Sequence, residues 1–344
     1  MDESKMKVIT LGTSGGPRWW KGNLRDRSGI ATAIVVGDRF YLVDAGHGVG
    51  RRIRQAGLAL SDLGGVFITH LHSDHTIDLP ALIVFGMHEL QHRADHPVPI
   101  VGPGQRGALP PVSPRAIVTP RPVAPANPTP GVVGMFNSIV AAYATDINDR
   151  VLDSLRTSPE VLFDPRDITV PETIGFHPNT NPHPDMEPFV VFEDDCVTVT
   201  ATLVEHPPIA PAFAFRFDSE FGSVTVSGDT REAANLVRLA HDTDILLHEA
   251  IDFSWVDGMY EHRTDEEGRA SRDHHYKSHT SFDGAVGIGN AAGAKTLALH
   301  HLVPGAADEG SWAHGQELFN GQFLVPDDLD VIPVKSHADL SHRS

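Results

Sequence analysis

The chain has 344 residues, enough for one large domain with decorations or for two domains. Its hydrophobic content of 40% and charged content of 21% are those of an ordinary globular protein. A formal charge of −18 argues against a broad nucleic-acid-binding face, because phosphate backbones need clustered Lys and Arg.

No uncharged run approaches the roughly 18 residues of a membrane span. The N-terminus is charged and passes straight into a strand-like run, with no apolar stretch ahead of a cleavage site. The single cysteine, Cys196, cannot form an internal disulfide and sits in a strand-like run as a packed thiol. A reducing, cytoplasmic setting is expected.

Taken in order, residues 7–11 read as a strand ending in the glycine-rich turn Gly12-Thr13-Ser14-Gly15-Gly16-Pro17. That turn is not a phosphate loop, since it lacks GxxxxGK[ST] and a following helix start. Residues 31–36 and 39–43 flank Gly37-Asp38 and predict a hairpin. Helical spacing follows over 49–56 and 77–90. Residues 97–131 are proline-rich, which predicts an irregular surface excursion. Helical spacing returns over 132–163, and 164–188 reads as loop. Residues 103–188 are therefore expected to form an inserted cap within a single domain spanning 1–344. A second strand-rich half follows: strands at 189–192, 197–204, 212–217, 223–227, 245–247 and 295–299, with helices at 233–241 and 282–292. Two strand-rich halves with interspersed helices predict an α/β fold of two sheets packed face to face under helices.

The chemistry starts at His70-Leu71-His72-Ser73-Asp74-His75, directly behind the apolar run Gly65-Val66-Phe67-Ile68. In an extended segment His70 and His72 share a face, and a turn then lets Asp74 and His75 reach a second point. That is half a site for two adjacent metal ions, so the rest of the chain must supply further ligands. His206, Asp229 and His301 each follow or close a predicted strand, where side chains gather at one edge of a sandwich. His300 is the rival to His301.

The order of these motifs resembles the metallo-β-lactamase superfamily, and within it the ribonuclease Z and arylsulfatase-like branch. Further matching pieces are Leu11-Gly12-Thr13-Ser14-Gly15-Gly16, Ser227-Gly228-Asp229-Thr230, His248-Glu249-Ala250, His279-Thr280-Ser281 and Leu299-His300-His301. The resemblance implies an αββα sandwich and a two-metal hydrolytic centre, two Zn2+ ions by expectation, with Mn2+ or Fe2+ as alternatives. Carried over by residue, His70, His72 and His206 would hold one ion; Asp74, His75 and His301 the other; Asp229 would bridge them. Asp74 would also orient the nucleophile. His248, steered by Glu249, would give a proton to the leaving group, and His279 would bind the scissile group at the rim.

The substrate is read from the insertion. Between residues 132 and 200 acids far outnumber the three arginines Arg150, Arg156 and Arg166. Such a surface favours a small-molecule ester (carboxylic, lactone, sulfate or phosphodiester) over nucleic acid. A tRNA 3′-processing endonuclease is the alternative, and a metal-bound non-catalytic binding protein is a third. The remaining histidines, including His274 and His275, are assigned to solvated loops. Residues 254–278 leave open whether a second lid exists, and a homodimer is also left open.

Overall fold

In a computed structural model the chain is described over residues 5–20, 27–307, 312 and 314–335. Strands β1 (Met6–Gly12), β2 (Ala31–Val36), β3 (Arg39–Val43), β4 (Leu63–Phe67), β5 (Val98–Pro103) and β6 (Phe163–Ile168) build the first sheet. Strands β7 (Phe189–Glu193), β8 (Thr198–Leu203), β9 (Phe213–Ser219), β10 (Gly222–Val226), β11 (Ile245–Ile251), β12 (Thr296–Val303) and β13 (Gln322–Leu324) build the second. The last strand, β14 (Val331–Pro333), returns to pair with β1 on the outer edge of the first sheet.

Side-chain alternation divides each sheet between two cores. Val8, Ile34, Tyr41 and Phe67 point inward and meet Val199, Phe213, Phe215, Phe217 and Val226 of the second sheet. Ile9, Val35, Leu42 and Val66 point outward beneath the helices Leu79–Glu89 and Val132–Ala142. Leu246, Leu297 and Leu299 pack beneath the helices Ala234–Leu239 and Phe282–Ala292 on the opposite side. The architecture is the expected αββα sandwich.

At the centre, Phe67 is fully buried and stacks edge-on against Phe217 at 5.1 Å, Phe192 at 5.5 Å and Phe215 at 5.8 Å. Phe67→Ala is expected to cost about 3–5 kcal/mol of unfolding free energy, because transfer and cavity terms add in a well-packed core. Denaturant unfolding checks this, and a loss below about 1 kcal/mol would contradict the packing described.

The region expected as an inserted cap over 103–188 is built differently. Phe163–Ile168 is a strand, parallel to β5 and hydrogen-bonded along its length, so it completes the first sheet. Its central residues Asp164-Pro165-Arg166-Asp167 are polar, which hid the strand pattern. Residues 98–103 also form a strand despite Pro99 and Pro103, since proline removes a donor but keeps an extended backbone. Helices cover 132–142 and 144–152, and the irregular excursion is confined to the proline-rich stretch between β5 and the first of them. Residues 254–278, left open above, form most of two helices, Phe253–Tyr260 and Glu266–Ser278. No helix among the described residues is long and apolar enough to cross a membrane.

Candidate metal centre

The site assembles where several strands end along one edge of the sandwich. β4 runs into Thr69-His70-Leu71-His72, and a short helix, Ser73–Thr76, then turns Asp74 and His75 back toward the sheet. His206 follows β8 and Asp229 follows β10. His301 lies within β12 at a bulge: Glu249 pairs with His300 and Ala250 with Leu302, which leaves His301 as the extra residue. Its φ of 48° belongs to the left-handed region, and the bulge turns its ring toward the other ligands.

Two groups of donors result. His70 Nε2 and His206 Nε2 stand 3.0 and 3.1 Å from His72 Nδ1. Asp74, His75, Asp229 and His301 form the second group, each contributing one atom within 4.8 Å of the others. Asp229 faces both. Its Oδ1 lies 3.3 Å from His75 Nε2 and 3.3 Å from His301 Nε2, while its Oδ2 lies 3.7 Å from His206 Nε2 and 3.9 Å from His70 Nε2.

The surrounding hydrogen bonds decide what these atoms want. His206 Nδ1 donates to the Ser278 carbonyl at 2.6 Å, which leaves Nε2 as a lone pair. His75 Nδ1 donates to Asp44 Oδ2 at 2.7 Å, so its Nε2 is likewise a lone pair aimed at a carboxylate. His75 Nε2 and Asp229 Oδ1 are buried without any hydrogen-bond partner. Lone pairs converging on carboxylate oxygens repel unless cations lie between them, so the donor set fits bound metal.

Protonation agrees. Burial drives the His70 and His206 imidazoles well below their ordinary pKa, which keeps them in the neutral form a metal requires. For Asp229, burial favours the neutral acid, but positive charge at His301 and His75, carried by a proton on the ring or by a cation in its place, outweighs it and holds the carboxylate ionised.

The glycine-rich turn contributes clearance and orientation. A Cβ on Gly15 would collide with the His301 imidazole, and the Gly16 N–H donates to Asp74 Oδ2 at 3.0 Å. Gly15→Ala is expected to displace His301 and to weaken metal binding at its cluster about 10–100-fold, the range for losing a ligand's support. Metal titration against a chelating dye checks this; unchanged affinity would contradict it.

His279 and His248 differ in setting. His279 Nδ1 shares a proton with both Glu249 oxygens at 3.1 Å, and its ring lies 4.9 Å from that of His206. Burial alone would lower its pKa, but Glu249 and then Asp229 raise it to about 9. His248 is fully buried in β11, donates from Nδ1 to the Glu249 carbonyl at 2.7 Å, and has no partner for Nε2. Burial lowers its pKa to about 4. His279 lines the cavity over the metal cluster and His248 does not. The Glu249 carboxylate thus supports His279, while only its backbone carbonyl meets His248.

A family profile described as anti-Pycsar protein Apyc1 matches residues 30–98. Ribonuclease Z of Mycobacterium bovis is 27% identical over 312 residues, covering 90% of this chain and 93% of that protein. Ribonuclease Z of Mycobacterium sp. strain KMS is 28% identical over 311 residues, covering 90% of each. Among solved structures, the short form of human tRNase Z superposes with a TM-score of 0.60 at 18% identity, covering 96% of this chain and all of that one. The metallo-β-lactamase-fold protein YhfI of Bacillus subtilis superposes at 0.57 and 17% identity, covering 95% and 98%. The chain has the metallo-β-lactamase fold.

The expectation of a small-molecule ester and no nucleic acid is overturned by these relatives. Relatives matched along nearly their whole length are ribonucleases. The misreading came from counting acids without placing them. Asp194 and Asp195 occupy the β7–β8 turn, at the opposite end of β8 from His206, and both pair with Arg39. Asp146 pairs with Arg150 and Asp164 with Arg166. Asp167 accepts the Val133 N–H at 2.9 Å, at the start of the helix Val132–Ala142. These acids are spent on structure and leave the metal edge to other groups.

Several residues escaped the reading of the sequence. Asp44, at the end of β3 with φ 61°, binds Thr69 as well as His75 and locks the metal-binding loop to the first sheet. The signal was an aspartate before the turn residue Gly46. His274 and His275, assigned to solvated loops, lie on the helix Glu266–Ser278 and line the cavity over the cluster. Arg115 of the proline-rich excursion reaches the same helix, 2.9 Å from Asp273.

Proposed function

We propose that this protein is a metal-dependent phosphodiesterase acting on RNA, a ribonuclease Z-type endonuclease that trims tRNA precursors at the 3′ end. The similarity to ribonuclease Z along 90% of the chain carries the reading, and the bridged double cluster supports the hydrolytic part of it.

Two zinc ions would fit the site, His70, His72 and His206 holding one and Asp74, His75 and His301 the other, with the Asp229 carboxylate facing both groups. Metal bound there would supply a water of lowered pKa and polarisation of the phosphoryl oxygens. The chain's own groups do the rest. Asp74, oriented by the Gly16 N–H, accepts a proton from the attacking water. Asp44 holds His75 in one tautomer. His279, paired with Glu249, takes the proton-donor role and delivers its proton to the departing ribose oxygen.

Incubating zinc-loaded protein with a precursor tRNA carrying a 3′ trailer, at low salt, tests the substrate. One endonucleolytic cut near the acceptor stem is expected, weakening as salt rises because phosphate contacts are screened. Hydrolysis of bis(p-nitrophenyl) phosphate without any cut in the precursor would overturn the RNA reading.

A further inference from the structure

The helix Glu266–Ser278 closes one side of the cavity over the metal cluster. Glu267, Ala270, Ser271 and His274, spaced three and four residues apart, form the face it turns to that cavity. The face is small and polar, so it is not a packing surface. His274 stands nearest the metal ligands. Its ring lies 6.3 Å from that of His72, 6.4 Å from His206 and 6.2 Å from His279, the last at right angles.

The protons around His274 can be placed. Ser278 Oγ donates to the Pro207 carbonyl, and a hydroxyl has one proton to give. The 3.3 Å contact between Ser278 Oγ and His274 Nδ1 therefore carries the imidazole's proton, with Nδ1 as donor. Burial, and then the His279 ring, pushes the pKa of His274 down to about 3, so the ring holds that proton alone. His274 Nε2 is left as a bare lone pair. It has no hydrogen-bond partner among the described residues and is reached by solvent. The ring is also firmly seated, because Ser278 accepts from His206 Nδ1 through its carbonyl while its hydroxyl holds Pro207. His275 on the same helix differs: the Tyr260 hydroxyl meets its Nε2 at 3.3 Å.

A bare acceptor needs a donor. The oxygens of a phosphodiester only accept, and a lone pair repels them. On an RNA backbone the donor beside the phosphate is the 2′-hydroxyl, the group that separates RNA from DNA. We propose that His274 Nε2 accepts a hydrogen bond from the 2′-hydroxyl of the ribose on the 5′ side of the scissile phosphate, so that the site selects RNA at that nucleotide. This rests on the RNA reading and on His279 serving the departing 3′ oxygen. The 2′ and 3′ oxygens are neighbours on one sugar ring, and the His274 and His279 rings are neighbours at one end of one helix.

Precursor tRNA with a single 2′-deoxy nucleotide at that position, beside the all-ribose precursor, tests the contact. The ribose-over-deoxy ratio of kcat/KM is expected to be about tenfold larger in the parent than in His274→Ala, the worth of one hydrogen bond to a buried acceptor. Comparing ratios cancels the sugar's intrinsic effect on the leaving group and any unfolded fraction of the variant. His274→Gln, which offers an acceptor oxygen, is expected to restore part of the ratio. Calorimetric titration of zinc-loaded protein with adenosine 3′-monophosphate and its 2′-deoxy analogue reads the same contact without catalysis, with the ribose form expected to bind about tenfold more tightly in the parent and equally in His274→Ala. A His274→Ala protein that loses activity equally on both precursors, or parent protein that binds both nucleotides equally, would overturn the proposal. If the nucleotides are distinguished as expected while no precursor is cut, the RNA-processing reading fails and the hydroxyl contact stands.

Discussion

Asp229→Asn protein is expected to cleave precursor RNA about a thousandfold more slowly than the parent and to retain little more than one zinc per chain. The reason is geometric. Asp229 Oδ1 lies within 3.3 Å of His75 and His301, and Oδ2 lies within 3.9 Å of His70 and His206, so one carboxylate serves both donor groups. Asparagine keeps the shape but carries one acceptor and no charge, so one side loses its oxygen. Two-ion stabilisation contributes several kcal/mol to a displacement, and each 1.36 kcal/mol is tenfold in rate, which sets the size of the loss. Initial rates beside elemental analysis of the same preparation check it. A variant within tenfold of the parent at full metal content would show that Asp229 does not bridge.

His279→Ala should lower kcat about 10²–10⁴-fold, the usual worth of a positioned general acid, while leaving zinc content at the parent's level. The Glu249 carboxylate holds the His279 ring through two 3.1 Å contacts and favours its protonated form, and the ring lines the cavity where a leaving group departs. His248→Ala is the informative companion. That histidine is a buried strand residue whose Nδ1 satisfies a backbone carbonyl, so its loss should lower the unfolding midpoint more than the rate per folded molecule. If His248→Ala costs as much in kcat as His279→Ala at unchanged stability, the proton donor is His248 after all.

How much of this was written in the sequence depended on whether a residue's role is local. The ligand candidates stood out because histidines and aspartates at the ends of apolar runs are conspicuous, and strand ends converge at one edge of a sandwich. Sheet pairing was legible wherever apolar residues alternated, as in β1 through β3. It failed at β6, where Asp164, Arg166 and Asp167 make an exposed edge look like loop. The helix Glu266–Ser278 carries almost no apolar stripe, so His274 and His275 looked like loop residues although the helix seats them over the cluster. Substrate class was the hardest to read. A net charge sums over the whole surface, and nothing in −18 reveals that the acids of 146–195 sit largely in ion pairs and turns while Arg18, Trp19 and Arg27 gather beside Asp74. The partner of a side chain is a property of the fold, as Glu249 shows: adjacent to His248 in sequence, it serves His279, thirty residues on.

A two-cation centre bridged by one carboxylate is tested most directly by an activity titration. Zinc is added in fractional equivalents to chelator-treated protein, and precursor tRNA cleavage is followed at each step. The rate is expected to climb to a plateau at two equivalents per chain, and chelated protein to be inactive. A plateau reached at one equivalent, or cleavage that persists in the chelated protein, would contradict it.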